Sequence, residues 1–299
     1  AHTMKGKLEI DTSASINRLK ILTSRIVNSQ IVGNYRSVFK GHGLEFHDYR
    51  PYTPTDDAST IDWKASVRSK KPLVREFIQE RNLNIFFLID ASSSMVYSSI
   101  DKLKLEYTAE LAATLSYIVL QAGDSTGFAM FNDKIKIYDY PKQGFNQYYK
   151  FARVLVDPKN YGGNYNLVEA LKFTMAFLKE FSIVIIISDF IGLKNDWKHY
   201  LKLVGKKFDL IGIMICDPIE IELPEYNGQV ILGDTFSEKQ VLVNVQSIRE
   251  SYKKYEESQQ KMVNEAFMQA NADFLELTTD KPFIKPITDL FLRRASRRR

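Results

Sequence analysis

Over most of the chain, short apolar runs alternate with amphipathic stretches. Phe86-Phe87-Leu88-Ile89, Ile183-Val184-Ile185-Ile186-Ile187 and Leu210-Ile211-Gly212-Ile213-Met214-Ile215 are continuous apolar segments of strand length, closed by small polar residues. Continuous rather than alternating hydrophobicity predicts strands buried on both faces, as in a parallel sheet covered by helices. The pattern predicts strands over 84–89, 127–131, 135–138, 183–187, 210–216 and 274–277, with two short strands or a hairpin over 230–232 and 241–243. Helical spacing of apolar positions predicts helices over 102–121, 147–156, 167–179, 197–204, 247–270 and 284–292. Strand and helix alternate, which implies an α/β fold: a doubly wound, mostly parallel sheet with helices on both faces.

Residues 4–82 differ in character. A helix is expected over 15–27, and then opposite charges mix densely with aromatics from Gly43 to Arg68. The expected organisation is a small N-terminal lobe over 4–82, the α/β domain over 83–292 and a basic tail over 293–299. That tail holds Arg293, Arg294, Arg297, Arg298 and Arg299, which account for the whole net charge of +5 and leave the rest of the chain formally neutral. It reads as a solvated terminus whose removal leaves the fold intact, and as the one feature that would attract nucleic acid. With 44% hydrophobic and 26% charged residues in 299, the chain has ample core and is not globally disordered. The lone Cys216 excludes an internal disulfide framework and fits a reducing, cytoplasmic compartment. No apolar run approaches the length of a membrane span.

The candidate chemistry lies where strands end. Asp90 closes the first apolar run, followed at alternate positions by Ser92 and Ser94; Asp189 closes the second. Ligands of open α/β sheets bind at the carboxyl edge of the strands, and carboxylate and hydroxyl oxygens suit a hard cation such as Mg2+ or Mn2+. The local alternative is that Asp90 caps its loop and the serines make turn bonds. His42, His47 and His199 form no ligand motif, and no phosphate loop, nucleophile elbow or metalloprotease helix is present.

Asp90-x-Ser92-x-Ser94 with Asp189 resembles the metal-ion-dependent adhesion site of the von Willebrand factor A domain. The resemblance implies a metal held by that loop, by a Thr from a second loop and by a third-loop Asp, here Asp189. The second loop falls near Tyr161-Gly162-Gly163-Asn164-Tyr165-Asn166 and has no Thr. Aligned on the glycines, Asn164 supplies an amide oxygen; aligned further on, Tyr165 takes its place. A second resemblance lies in the lobe. Gly43, Glu45, Phe46, Asp48, Arg50, Tyr52, Asp56, Asp57, Ile61, Asp62 and Trp63 match the signature of the domain-of-unknown-function-58 family, with Thr55 and Ser59 departing from it. That resemblance implies an adaptor or chaperone-like protein working with a MoxR-type AAA+ ATPase.

Three functions follow as expectations. The first is a non-enzymatic, metal-dependent interaction module, whose partner presents an acidic residue and docks on the lobe through Glu45, Asp48, Arg50, Asp56, Asp57, Asp62 and Trp63. In that lobe the mixed charges are expected to pair locally and Trp63 to stabilise by burying its ring. The second is a metal-assisted phosphoester hydrolase or nuclease, which Asp90-x-Ser92 disfavours by lacking a second aspartate and a nearby His. The third is nucleic-acid binding through the tail alone.

Overall fold

The computed structural model describes residues 12–39, 45–78, 82–194, 196–225, 228–233 and 240–297. Helices α1 (Thr12–Ile26) and α2 (Ser29–Phe39) precede β1 (Glu45–Pro51), α3 (Trp63–Ser69) and β2 (Leu73–Ile78). Next come β3 (Asn84–Asp90), α4 (Lys104–Gln121), β4 (Ser125–Phe131), β5 (Ile135–Lys142), α5 (Phe145–Val156), α6 (Leu167–Phe177), β6 (Ile183–Ser188), α7 (Trp197–Lys207) and β7 (Asp209–Cys216). The short α8 (Pro218–Ile221), the hairpin of β8 (Gln229–Gly233) and β9 (Gln240–Asn244), the long α9 (Val245–Gln269), β10 (Asp273–Thr278) and α10 (Ile284–Arg297) follow.

Strands β10, β7, β6, β3, β4 and β5 form one sheet in that order, with every neighbouring pair parallel except β4 and β5. This is the expected doubly wound, mostly parallel arrangement. The pleat divides the core by residue parity. Phe87, Ile89, Ile185, Ile187, Ile211 and Ile213 join the layer built by α1, α2, α4, α5 and α10. Phe86, Leu88, Val184, Ile186 and Leu210 join the layer built by α6, α7 and α9. From β3 the chain builds outward through β4 and β5, then returns to place β6 on the other side of β3 and builds outward again. The reversal of strand order lies between β3 and β6, whose ends carry Asp90 and Asp189.

Close helix packing on this sheet depends on one glycine. A Cβ added at Gly212 in β7 lies 2.4 Å from the Phe267 ring of α9. That ring is wholly buried and touches Phe190 and Phe274. Gly212→Val is therefore expected to cost about 1–3 kcal/mol through overpacking, measurable by chemical denaturation.

Two expectations about organisation are corrected. Residues 12–39 are not part of a separate lobe: Leu19 of α1 and Ile31, Val32, Tyr35, Val38 and Phe39 of α2 sit in the main core. The Tyr35 hydroxyl donates to Asp124 Oδ2 at 2.8 Å, tying α2 to the turn before β4. The lobe proper is the antiparallel pair β1–β2 with α3 between them. Nor is 293–299 a free tail. Helix α10 continues to Arg297, and Arg294 is only 6% exposed, paired with Asp209 and Asp273. Arg298 and Arg299 lie outside the described residues.

Candidate functional site

The carboxyl ends of β3, β6 and β7 each release an aspartate: Asp90, Asp189 and Asp217, all buried. Asp90 turns the chain back on itself, its Oδ1 accepting the Ser92 N–H at 2.8 Å. Its Oδ2 accepts the Ser188 hydroxyl at 2.7 Å, so the end of β6 grips the end of β3. The Ser92 and Ser94 hydroxyl oxygens, both fully buried, lie 3.0 Å apart. The sequence therefore brings Asp90, Ser92 and Ser94 together as expected, and the turn bonds coexist with the convergence of oxygens.

The second loop clasps the first through its backbone. Gly162 N–H donates to Ala91 O at 2.8 Å, Ser93 N–H to Gly163 O at 3.0 Å, and Gly163 N–H to Ser93 Oγ at 2.9 Å. Asn132 Nδ2 donates to Gly162 O at 2.7 Å. Gly162 and Gly163 have φ of +110° and +90°, a region that side chains disfavour. A Cβ on Gly163 would also meet Asn132 Nδ2 at 2.7 Å. This turn decides which residue faces inward, and it corrects the reading of Asn164 as an amide ligand. Asn164 is solvent-exposed, whereas Tyr165 is buried with its hydroxyl 3.2 Å from Ser188 Oγ. The clasp also covers the site: Asp90, Ser92, Ser94 and Asp189 are shielded from solvent rather than displayed at an open edge.

Asp189 has a partner that sequence reasoning missed. Lys104, the first residue of α4, is completely buried, and its Nζ donates to Asp189 Oδ2 at 2.8 Å and to Glu220 Oε1 of α8. Burial alone would lower the lysine pKa, but the charges of Asp189 and Glu220 raise it, so the ammonium stays charged. Asp189 Oδ1 accepts the Ile191 N–H at 3.0 Å. Asp217, likewise unanticipated, accepts the N–H of Ser99 at 2.7 Å and of Ile219 at 3.0 Å, pinning the loop before α4 to the end of β7. Both had a sequence signal. Asp217 closes an apolar strand as Asp90 and Asp189 do, and Lys104 lies on the buried stripe of Tyr107, Thr108, Leu111 and Leu115.

Asp90 differs electrostatically from Asp189. Among the described residues no cation pairs with it. Burial first, and then the charge of Asp189, push its carboxyl up to about 7, against the hydrogen bonds from Ser188 and Ser92. A buried carboxylate without a counter-charge beside two buried hydroxyls is an all-oxygen donor set, and its chemistry fits a hard divalent cation. Asp189 fits less directly, because Lys104 already balances it. Among the described residues no group of three or more His, Cys, Asp or Glu side chains is placed to hold a metal; the candidate set depends on hydroxyls.

The lobe residues have separate roles. Arg50 makes a bidentate pair with Asp56, with Nη1 to Oδ2 at 2.6 Å, and Thr53 N–H donates to the same carboxylate at 2.9 Å. The Arg50 hydrogen bonds and the Thr53 N–H hold the Asp56 carboxyl well below its usual range. Asp57 accepts the Ser59 N–H at 2.9 Å. Asp62 caps α3, accepting from Lys64 N and Ala65 N at 3.0 and 3.2 Å, and takes the Tyr49 hydroxyl at 3.1 Å. Among the described contacts, the expected ion-pair network is represented by the Arg50–Asp56 pair, while Asp57 and Asp62 accept backbone N–H groups at helix starts. Trp63 corrects the expectation most, being 67% exposed rather than packed. Glu45 and Asp48 enter β1 through their backbones; their side chains, and Gly43, lie outside the described part of the structure.

The sequence model of the family described as "Protein of unknown function DUF58" matches residues 48–262. The uncharacterised protein Rv1480 of Mycobacterium tuberculosis is 23% identical over 292 residues, covering 96% of this chain and 90% of its own length. The crystal structure of the conserved hypothetical protein BatB from Bacteroides thetaiotaomicron superposes with a TM-score of 0.50 at 13% identity, over 72% of this chain and 100% of that one. A von Willebrand factor type A protein from Catenulispora acidiphila gives 0.35 at 16% identity, over 46% of this chain and 34% of that one. Among the described residues no helix is long and apolar enough to cross a membrane.

Proposed function

The chain belongs to the DUF58 family, and from that membership and the geometry of the sheet edge we propose that it is a non-enzymatic, divalent-metal-dependent protein-interaction module. The observation that carries the reading is Asp90: a buried carboxylate at the strand-order reversal, without a cation of its own among the described residues, beside the Ser92 and Ser94 hydroxyls. Asp90, Ser92 and Ser94 hold Mg2+ or Mn2+, and Asp189, fixed by Lys104, stands behind them. The ion, when bound beneath the covering loop, supplies positive potential at this edge that favours an acidic side chain of a protein partner. Gly163 and Asn164, the exposed residues of the covering loop, form the accessible part of this edge. The family resemblance suggests a MoxR-type AAA+ ATPase as that partner. A phosphoester hydrolase is the weaker reading, since no His lies in these loops and the buried Lys104 is held by two carboxylates.

The test is metal titration by calorimetry and thermal shift. For Asp90 the sign is worked out from its raised value. Between about 4, where the unfolded carboxyl titrates, and about 7, the folded state holds a proton that the unfolded chain lacks, so stability falls as pH rises through that window. The proton competes with metal there, so stabilisation by Mg2+ is expected to be larger at pH 8 than at pH 6. Asp90→Asn is expected to abolish the metal response and flatten the pH slope. Equal responses in wild type and variant would sink the site assignment. Capture of a candidate AAA+ ATPase that is indifferent to chelator, or phosphoesterase turnover lost with Asp90→Asn, would sink the adaptor reading.

A further inference from the structure

The lobe carries a groove that the strand-end site does not use. Tyr52, Ile61, Trp63, Val67 and Pro72 wall a concavity of about 460 Å³, with Lys70 and Lys71 at its rim. Its apolar side chains are open to solvent, with Trp63 at 67% and Val67 at 77% exposure. Adjacent residues on a short helix that expose a Trp and a Val together form a patch, not a scattered surface residue.

The groove is preformed. Asp62 caps α3, and the Ser66 hydroxyl donates to Asp62 O at 2.7 Å while accepting the Leu73 N–H at 2.8 Å. Tyr52 N–H donates to Pro72 O and Asp62 N–H to Leu73 O, both at 2.9 Å. Both walls are therefore held by backbone bonds, which reduces the ordering cost of binding.

Charge identifies the occupant. From Trp63 to Pro72 the chain carries Lys64, Arg68, Lys70 and Lys71 and no acid. All four are exposed, and none has an acidic partner among the described residues. The neighbouring acids are committed elsewhere: Asp56 to Arg50, and Asp57 and Asp62 to helix starts. An apolar slot ringed by uncommitted cations complements a chain segment with an apolar side chain between acidic ones.

We propose that this groove binds a short acidic segment of a protein partner, inserting one apolar or aromatic side chain beside Trp63 while Lys64, Arg68, Lys70 and Lys71 meet its carboxylates. This deepens the interaction-module reading by naming the partner's chemistry on the lobe, but it needs no metal.

The experiment uses the full chain and a fluorescently labelled peptide with one Phe between two blocks of three Glu, read by anisotropy. Controls replace Phe by Ala or Glu by Lys, and add a single-stranded oligonucleotide and phosphatidylserine vesicles as competing probes. Expected results are saturable binding of the Phe–Glu peptide, weakened about tenfold or more by Trp63→Ala. Lys70→Glu with Lys71→Glu should weaken it as much and flatten its dependence on salt, because the attraction that salt screens is gone. Trp63 is exposed, so the variant's melting curve should match wild type. EDTA and Asp90→Asn should leave this binding unchanged, which separates failure of the groove from failure of the metal site. Absence of peptide binding, indifference to both groove variants, or preference for the oligonucleotide or vesicles would overturn the proposal.

Discussion

Lys104→Met is expected to lower unfolding free energy by about 3–5 kcal/mol, the cost of removing one partner from a buried ion pair. At this chain length that corresponds to a drop in Tm on the order of 10 °C. Methionine fills similar volume, so the loss reports charge and not a cavity. Wild-type Lys104 is the only described cation between Asp189 Oδ2 and Glu220 Oε1, and it is wholly buried. Burial raises the Glu220 carboxyl and Lys104 lowers it; without the ammonium it rises further. A carboxyl whose folded value is raised destabilises increasingly as pH climbs from the ordinary carboxylate range toward that value. The deficit of Lys104→Met should therefore be largest near neutral pH and shrink on acidification. Adding Glu220→Gln to Lys104→Met should recover part of the loss, since it removes one of the stranded charges. A Tm within a degree or two of wild type at neutral pH would show that solvent, rather than Lys104, neutralises this edge.

Lys104 also explains where sequence reasoning reached and where it stopped. The strands were legible because each buried run is apolar along its whole length, and a parallel sheet covered on both faces demands that. Asp90, Ser92 and Ser94 were legible because a strand end followed by alternating oxygens has few purposes. The inward turn of Tyr165 over Asn164 was not, since it depends on the positive φ of Gly162 and Gly163 and on Asn132 reaching across from the end of β4. A lysine at a helix start reads as a solvated residue; only its register with Tyr107, Leu111 and Leu115 reveals that it points inward. In the lobe, alternating charges suggested pairing, yet Asp57 and Asp62 were taken by backbone N–H groups close in sequence, which compete well because the chain connection holds them near. Lys64 and Arg68 were left to the surface, and with them the groove beside Trp63.

Arg294 is the second position where a large effect is expected, and it reverses the reading of the C-terminus as dispensable. Its Nη2 lies 2.6 Å from Asp209 Oδ2 at the start of β7, and its Nη1 lies 3.2 Å from Asp273 Oδ2 at the start of β10. The guanidinium also stacks 5.2 Å from the centre of the Phe39 ring in α2. One side chain thus joins two adjacent strands, an N-terminal helix and α10. The periodicity was present in the sequence, with Ile287, Leu290 and Phe291 buried on the stripe that Arg294 continues, but the neighbouring arginines concealed it. Arg294→Ala is expected to cost about 2–4 kcal/mol, less than a fully enclosed pair because both aspartates keep some contact with water. Deleting 293–299 should cost at least as much. Arg293→Ala, which removes the same charge from an exposed position one residue away, should change stability by no more than about 0.5 kcal/mol. Chemical denaturation of the three variants checks this. If Arg293→Ala and Arg294→Ala lose equal stability, the effect belongs to net charge, and the strand–helix clasp at Arg294 is refuted; if only Arg294→Ala and the truncation lose it, the terminus is part of the fold.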